Sequence, residues 1–177
     1  SNDINIELEK IRIINSLLKD EQKECYVEQE VKNRLVFVPT LNGNIRIIED
    51  IKGIASDYYP KFNILIKSIE DGTFKGAKRF YVEGLNGLCE VRFLNTRVLF
   101  CQLDKNTYGI IGAFVKKITS DTYYKTMINN YNSLYRASLD ILISNLSDPE
   151  FMNVQDEYYK ELFNILEPQT NLKVKSL

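Results

Sequence analysis

The chain has 177 residues, 44% hydrophobic and 27% charged, with a formal net charge of −1: enough for one folded domain with appendages, and without a low-complexity linker. It contains no histidine, which excludes a Ser-His-Asp or Cys-His nucleophile and a Cys/His zinc site, and leaves acid–base chemistry to Lys, Tyr, Asp, Glu or Cys. No apolar run approaches the roughly 18 residues of a membrane span and no charged-then-apolar leader opens the sequence, so no membrane partner and a cytoplasmic location are expected.

Taken in order, Ile4, Leu8, Ile11, Ile14 and Leu18 recur at spacings of three and four and predict an amphipathic helix over 4–18, with Asp3 as its N-cap. Residues 19–33 are highly charged and suggest a second helix. Leu35-Val-Phe-Val38 reads as a short strand stopped by Pro39, followed by a turn at Leu41-Asn-Gly-Asn44. Two helices follow, over 45–54 and 62–69. Pro60 separates them or opens the second, Phe62, Leu65, Ile66 and Ile69 share a face, and Gly72 is suited to a left-handed C-cap.

Residues 75–117 are a run of strands holding eight Lys and Arg against three Asp and Glu, a local balance of +5. The ends are acidic: residues 1–33 hold eight acids and five bases, residues 140–177 seven and three. A basic sheet in an otherwise acidic chain points to an anionic partner for one surface. Within the block, Gly84-Leu-Asn-Gly87 is a turn, and strands over 88–94 and 97–103 are joined by Asn95-Thr96. A two-residue loop there puts Leu94 opposite Arg97 and Phe93 opposite Val98. Val91, Phe93, Val98 and Phe100 then share a core face, and Glu90, Arg92, Arg97, Leu99 and Cys101 the other. Arg92 and Glu90, two residues apart, are placed to form an exposed ion pair. After a loop at 104–108 comes the strand 109–115, on which Phe114 falls on the same side as Lys116.

Thr119-Ser-Asp121 is an N-cap cluster for a helix running to about Leu146, with Met127, Tyr131, Leu134, Leu139 and Leu142 as its apolar positions. Ser147-Asp-Pro149 breaks the chain before a last helix over about 154–166. The cysteines, Cys25, Cys89 and Cys101, form no C-x-x-C pair. Cys89 and Cys101 lie in apolar runs and read as buried thiols. The expected architecture is α+β: a small antiparallel sheet of about four strands packed on helices. The division is a helical extension over 1–33, an α+β domain over 34–146, and a C-terminal helix and tail over 147–177.

Gly87-Leu-Cys-Glu-Val-Arg92-Phe, then Arg97-Val-Leu-Phe-Cys, then Gly112-Ala-Phe-Val-Lys116-Lys117 with Thr119, resembles in order and spacing the RelE/HigB toxin superfamily, notably its phage-derived branch, over about residues 34–136. The resemblance implies a RelE-like fold and a toxin-like endoribonuclease of a toxin–antitoxin system. Such an enzyme cleaves mRNA on the ribosome by attack of a 2′-hydroxyl on the adjacent phosphate, with a helix-turn-helix antitoxin as its protein partner and no cofactor or metal. Carried over by position, Arg92, Arg97, Lys116 and Lys117 are the catalytic candidates. Lys75, Lys78, Arg79 and Phe114 are the RNA-binding ones. Arginine forks and lysine point charges suit a charged phosphorane. Phe80, Tyr81 or Phe114 can stack on a base, and Tyr123 or Tyr124 can supply a hydroxyl for proton transfer. Two other readings share the fold: a non-catalytic binding or regulatory protein of phage or mobile-element origin, and a toxin whose own ends, 1–33 or 147–177, shield its site.

Overall fold

The computed structural model describes residues 2–17, 32–74, 77–79, 87–117 and 120–167, with residues 2, 3, 12–17, 78 and 79 described through the backbone alone. They form two compact units, Ser1–Lys32 and Asn33–Leu177. The first contains helix α1, Asn2–Leu17. Asp3, expected as its cap, lies inside it. Ile4, Ile6 and Leu8 are exposed on it, and Glu7 and Lys10 form a solvated ion pair at 3.3 Å. Nearly all of the second expected helix, and Cys25, lie outside the described residues.

The second unit is an α+β fold built on a five-stranded sheet of order β1-β5-β4-β3-β2. The strands are β1 (Arg34–Phe37), β2 (Lys78–Arg79), β3 (Cys89–Phe93), β4 (Thr96–Asp104) and β5 (Thr107–Val115). The antiparallel sheet of about four strands expected from the sequence is β2, β3, β4 and β5, which pair antiparallel in turn, and β1 makes the sheet mixed by running parallel to β5. The reason is connectivity. The chain leaves β1 through helices and returns by the far edge, and so long a connection frees β1 from the hairpin constraint and lets it lie parallel to β5.

Helices cover both faces. Side chains alternate along a strand, so β1 sends Leu35 and Phe37 to one side and Val36 and Val38 to the other. The first side is closed by α2 (Arg46–Lys52), α3 (Tyr59–Asp71) and α5 (Pro149–Leu166), through Ile47, Ile51, Phe62, Ile66, Ile69 and Leu162. The second is closed by α4 (Asp121–Ser144), through Ile128, Tyr131, Tyr135, Leu139 and Leu142. Helix α3 has Pro60 in its first turn and ends at Gly72, whose φ of +72° is the left-handed cap expected of it. Gly43, at φ +84°, makes the turn after β1.

Helix α5 begins at Pro149, five residues before the expected start, because Asp148 caps it by accepting from the Glu150 N–H. It is not an appendage. Leu162, Phe163 and Leu166 belong to the core, and Gln155, 3% exposed, accepts the Phe37 N–H at 2.7 Å along the free edge of β1. Among the described residues no helix is long and apolar enough to cross a membrane.

Candidate nucleic-acid interface

The β3–β4 hairpin organises the basic block. Its loop residues are Leu94 and Asn95, not Asn95 and Thr96, and Arg92 stands opposite Arg97, with Val91 opposite Val98. Thr96 is drawn into β4, fully buried, with its hydroxyl donating to the Phe93 carbonyl at 2.6 Å. Leu94 makes the turn at φ +53°. The slip from the expected register is two residues along one strand, so every side chain keeps its side. Val91, Val98 and Phe100 face the core under α2, α3 and α5, while Leu99 and Cys101 face α4.

Across three strands, Arg92 is level with Arg97 and Arg97 with Phe114. Helix α4, capped by the Ser120 side chain, lays Tyr124 beside this row. The Tyr124 hydroxyl donates a hydrogen bond to Oε2 of Glu90, and Oε1 of Glu90 lies 3.6 Å from Nε of Arg97. The Tyr124 ring meets the edge of Phe114 at 6.1 Å, and Nζ of Lys116 sits 4.6 Å from the Tyr124 centroid, a cation–π contact. Burial first, and the Glu90 carboxylate second, push the Tyr124 hydroxyl well above the usual phenol range, so it holds its proton.

These residues divide by exposure. Arg92, Lys116 and Lys117 are open to solvent, and Arg92 has no hydrogen-bond or ion-pair partner among the described residues. Arg97 is buried: its side chain, 9% exposed, faces Glu90, and Nη1 donates to the carbonyls of Leu94 at 2.7 Å and Thr96 at 2.9 Å. It clamps the hairpin turn. Glu90, expected beside Arg92 in solvent, is buried with Arg97 instead, because a 3% exposed carboxylate needs a cation at hand. Phe114, expected to meet RNA, is 7% exposed and packs between Tyr124 and Tyr131. Lys78 and Arg79 pair through β2 with Glu90 and Cys89. Lys75, Phe80, Tyr81 and residues 84–86 of the glycine turn lie outside the described residues.

A second polar group supports the row from behind. Oδ2 of Asp50 accepts the Ala113 N–H at 3.0 Å and the Tyr131 hydroxyl at 2.8 Å, and Oδ1 pairs with Arg46 at 3.1 Å. Burial is the largest influence on Asp50 and raises its carboxyl above the ordinary value despite these donors. Asp50 thereby fixes β5 just before Phe114. No local sequence pattern marks Asp50 or the burial of Glu90, and residue type alone does not separate Tyr123 from Tyr124. The row Tyr124, Ile128, Tyr131, Tyr135, spaced by four, three and four, separates them: it points Tyr124 at the sheet and leaves Tyr123 61% exposed.

Among the described residues no three His, Cys, Asp or Glu side chains form a metal-ligand group. The fold and site define an α+β protein with exposed cations beside a buried glutamate hydrogen-bonded to a half-buried tyrosine. No family model, curated protein or solved structure matches the chain.

Proposed function

We propose that this protein is a toxin-like endoribonuclease of the RelE/HigB type, acting on mRNA bound to the ribosome and held silent by an antitoxin partner in the cytoplasm. The observation that carries the reading is the meeting of two exposed cations, Arg92 and Lys116, with the Glu90–Tyr124 couple on one sheet face, exposed Lys117 following next in the chain. The cations hold the phosphate and spread its growing charge. The 2′-hydroxyl gives its proton to solvent water as the O2′–P bond forms; as the P–O5′ bond breaks, Tyr124, which holds its proton in the resting site, turns that hydrogen from Glu90 to the departing 5′ oxygen and is reprotonated from solvent. Arg97 serves from beneath by fixing the hairpin that carries Arg92.

The burial of Arg97 against Glu90 favours a second reading, a non-catalytic RNA-binding or regulatory protein of the same fold, since it removes one cation from the phosphate. Helix α5 does not support shielding by the C-terminal segment, because its buried residues pack mainly on the sheet face opposite Arg92 and Lys116.

The test is expression of the full chain with and without Arg92→Ala plus Lys116→Ala, scored by growth and by mapping cuts in mRNA on translating ribosomes. Growth arrest and cleavage by the wild type, both lost in the double variant, are expected. RNA binding that weakens with salt, without cuts, selects the second reading. Neither effect from the wild type ends both.

A further inference from the structure

We infer that the tip of the β3–β4 hairpin, Phe93 and Leu94, is a wedge that meets unstacked bases of a single-stranded RNA whose phosphates lie on Arg92, Lys116 and Lys117. The inference rests on the RNA-binding part of the reading above and names the element that contacts the bases.

Leu94 is the one non-glycine residue with a positive φ among the described residues, at +53°, and it occupies the first place of a two-residue hairpin loop. When only the first loop residue takes that sign, glycine is the residue that fits without strain. The backbone work done here does not need a leucine: the Leu94 carbonyl accepts from Arg97 at 2.7 Å, and a glycine carbonyl would accept equally well. Nor does the core gain by it, since the Leu94 side chain is 71% exposed. A branched apolar side chain therefore stands in solvent at a place that penalises it. Beside it Phe93, the last residue of β3, is 39% exposed.

The surroundings identify the occupant. Arg92 precedes the tip and is exposed. The Lys116 N–H donates to the Asn95 carbonyl at 2.7 Å, which brings the exposed Lys116-Lys117 pair against the other side of the same turn. Leu94 stands at the turn between the backbone positions of Arg92 and Lys116, and Phe93 projects to the sheet side away from Arg92, so a strand whose phosphates lie on the Arg92 and Lys116 side can turn its bases over the tip. An acidic protein surface would use the cations and leave the apolar pair unsatisfied. A membrane surface would need a broader apolar face than two side chains provide.

The experiment uses the full chain and a fluorescent 2′-O-methyl oligoribonucleotide of mixed sequence, which cannot be cut, beside the same strand with abasic positions. Leu94→Gly relieves the backbone and is expected to fold at least as well as the wild type, checked by its melting temperature. Leu94→Gly and Phe93→Ala should each weaken binding of the base-bearing strand at least about fivefold, with the slope of affinity against salt unchanged and little effect on the abasic strand. Arg92→Ala should flatten the salt slope for both strands. If Arg92→Ala weakens binding while Leu94→Gly and Phe93→Ala bind both strands as the wild type does, the wedge is wrong and the RNA reading stands. If the wild type binds neither strand, both fall. Binding to vesicles of mixed zwitterionic and anionic phospholipid that is lost in Leu94→Gly, with RNA binding intact, assigns the tip to a membrane and overturns the inference.

Discussion

The ring of Tyr131 lies so close over Gly112 that a Cβ at position 112 would stand 2.2 Å from Cε1 of that ring and 2.9 Å from Oδ2 of Asp50. No rotation of a tyrosine already hydrogen-bonded to Asp50 makes room without giving up that bond. Gly112→Ala is expected to cost about 1–3 kcal/mol, the usual range for overpacking, seen as a lower midpoint in urea or thermal unfolding. Combining it with Tyr131→Leu should cost less than the two singles added, because both act on one contact. A Gly112→Ala protein as stable as the wild type would show that the ring does not hold this place.

The Glu90–Arg97 pair is the next place where one change should be large. Both side chains are buried, at 2% and 9% exposure, and Arg97 Nε is 3.6 Å from the carboxylate. Removing one partner leaves a buried charge uncompensated, at a cost of about 3–5 kcal/mol, whereas replacing both with apolar residues is often close to neutral. Glu90→Leu alone should therefore destabilise strongly, and Glu90→Leu with Arg97→Met should recover a good part of the loss. Full additivity in a double-mutant cycle by chemical denaturation would mean that the pair does not interact.

How much of this was legible in the sequence depended on how local the signal was. Phe62, Leu65, Ile66 and Ile69 declared their shared face by spacing, Gly72 declared its cap by residue type, and the two faces of the β3–β4 hairpin followed from alternation. The hairpin register did not, because Asn95-Thr96 looks more like a turn than Leu94-Asn95 does, and only tertiary contacts through Arg97 and Thr96 pull Leu94 into the strained place. The parallel β1–β5 pairing and the Gln155–Phe37 bond join residues more than 70 positions apart, so no local pattern announces them. Charge density marks the cations but not which of them face water, since Arg92 and Arg97 share a side of the sheet and differ in tertiary partners, Arg97 being drawn in by Glu90 and by the Leu94 and Thr96 carbonyls.

Cys101 sets an alkaline limit. It is fully buried, and burial pushes its thiol from an ordinary 9.0 up to about 12. Between those values the unfolded chain sheds the proton and the folded one keeps it, so the contribution of Cys101 is present below pH 9 and is lost as pH rises. The slope is about 1.4 kcal/mol per pH unit for one group. Cys101→Ala should start less stable, from the cavity it leaves, but should lose less stability than the wild type between pH 9 and pH 10. Equal slopes in urea titrations at the two pH values would show that Cys101 ionises normally. In the folded protein at pH 8, Cys101 should also resist iodoacetamide, read by peptide mass mapping, while half-buried Cys89 reacts sooner.

The C-terminal helix is where reading the chain as a domain plus an appendage and reading it as one core give opposite outcomes. Beginning at Pro149, it places Leu162, Phe163 and Leu166 in the core, joins Arg34 through Asp156 at 2.8 Å and the Met152 carbonyl at 2.9 Å, and satisfies the otherwise open Phe37 N–H through Gln155. A chain ending at Leu146 would expose those apolar contacts on α2 and α3 and leave the edge of β1 bare, so it should lose cooperative unfolding and near-ultraviolet circular dichroism, and aggregate. A chain starting at Asn33 keeps the whole second unit and should unfold cooperatively. The milder Gln155→Leu keeps the helix but orphans one buried N–H, for an expected loss of about 1–3 kcal/mol. Amide exchange at Phe37 is the discriminating readout. It should quicken in Gln155→Leu more than exchange at Val38, whose N–H donates into the sheet to Ile110 at 3.0 Å. Equal quickening at both sites would mean that Gln155 merely packs against the strand.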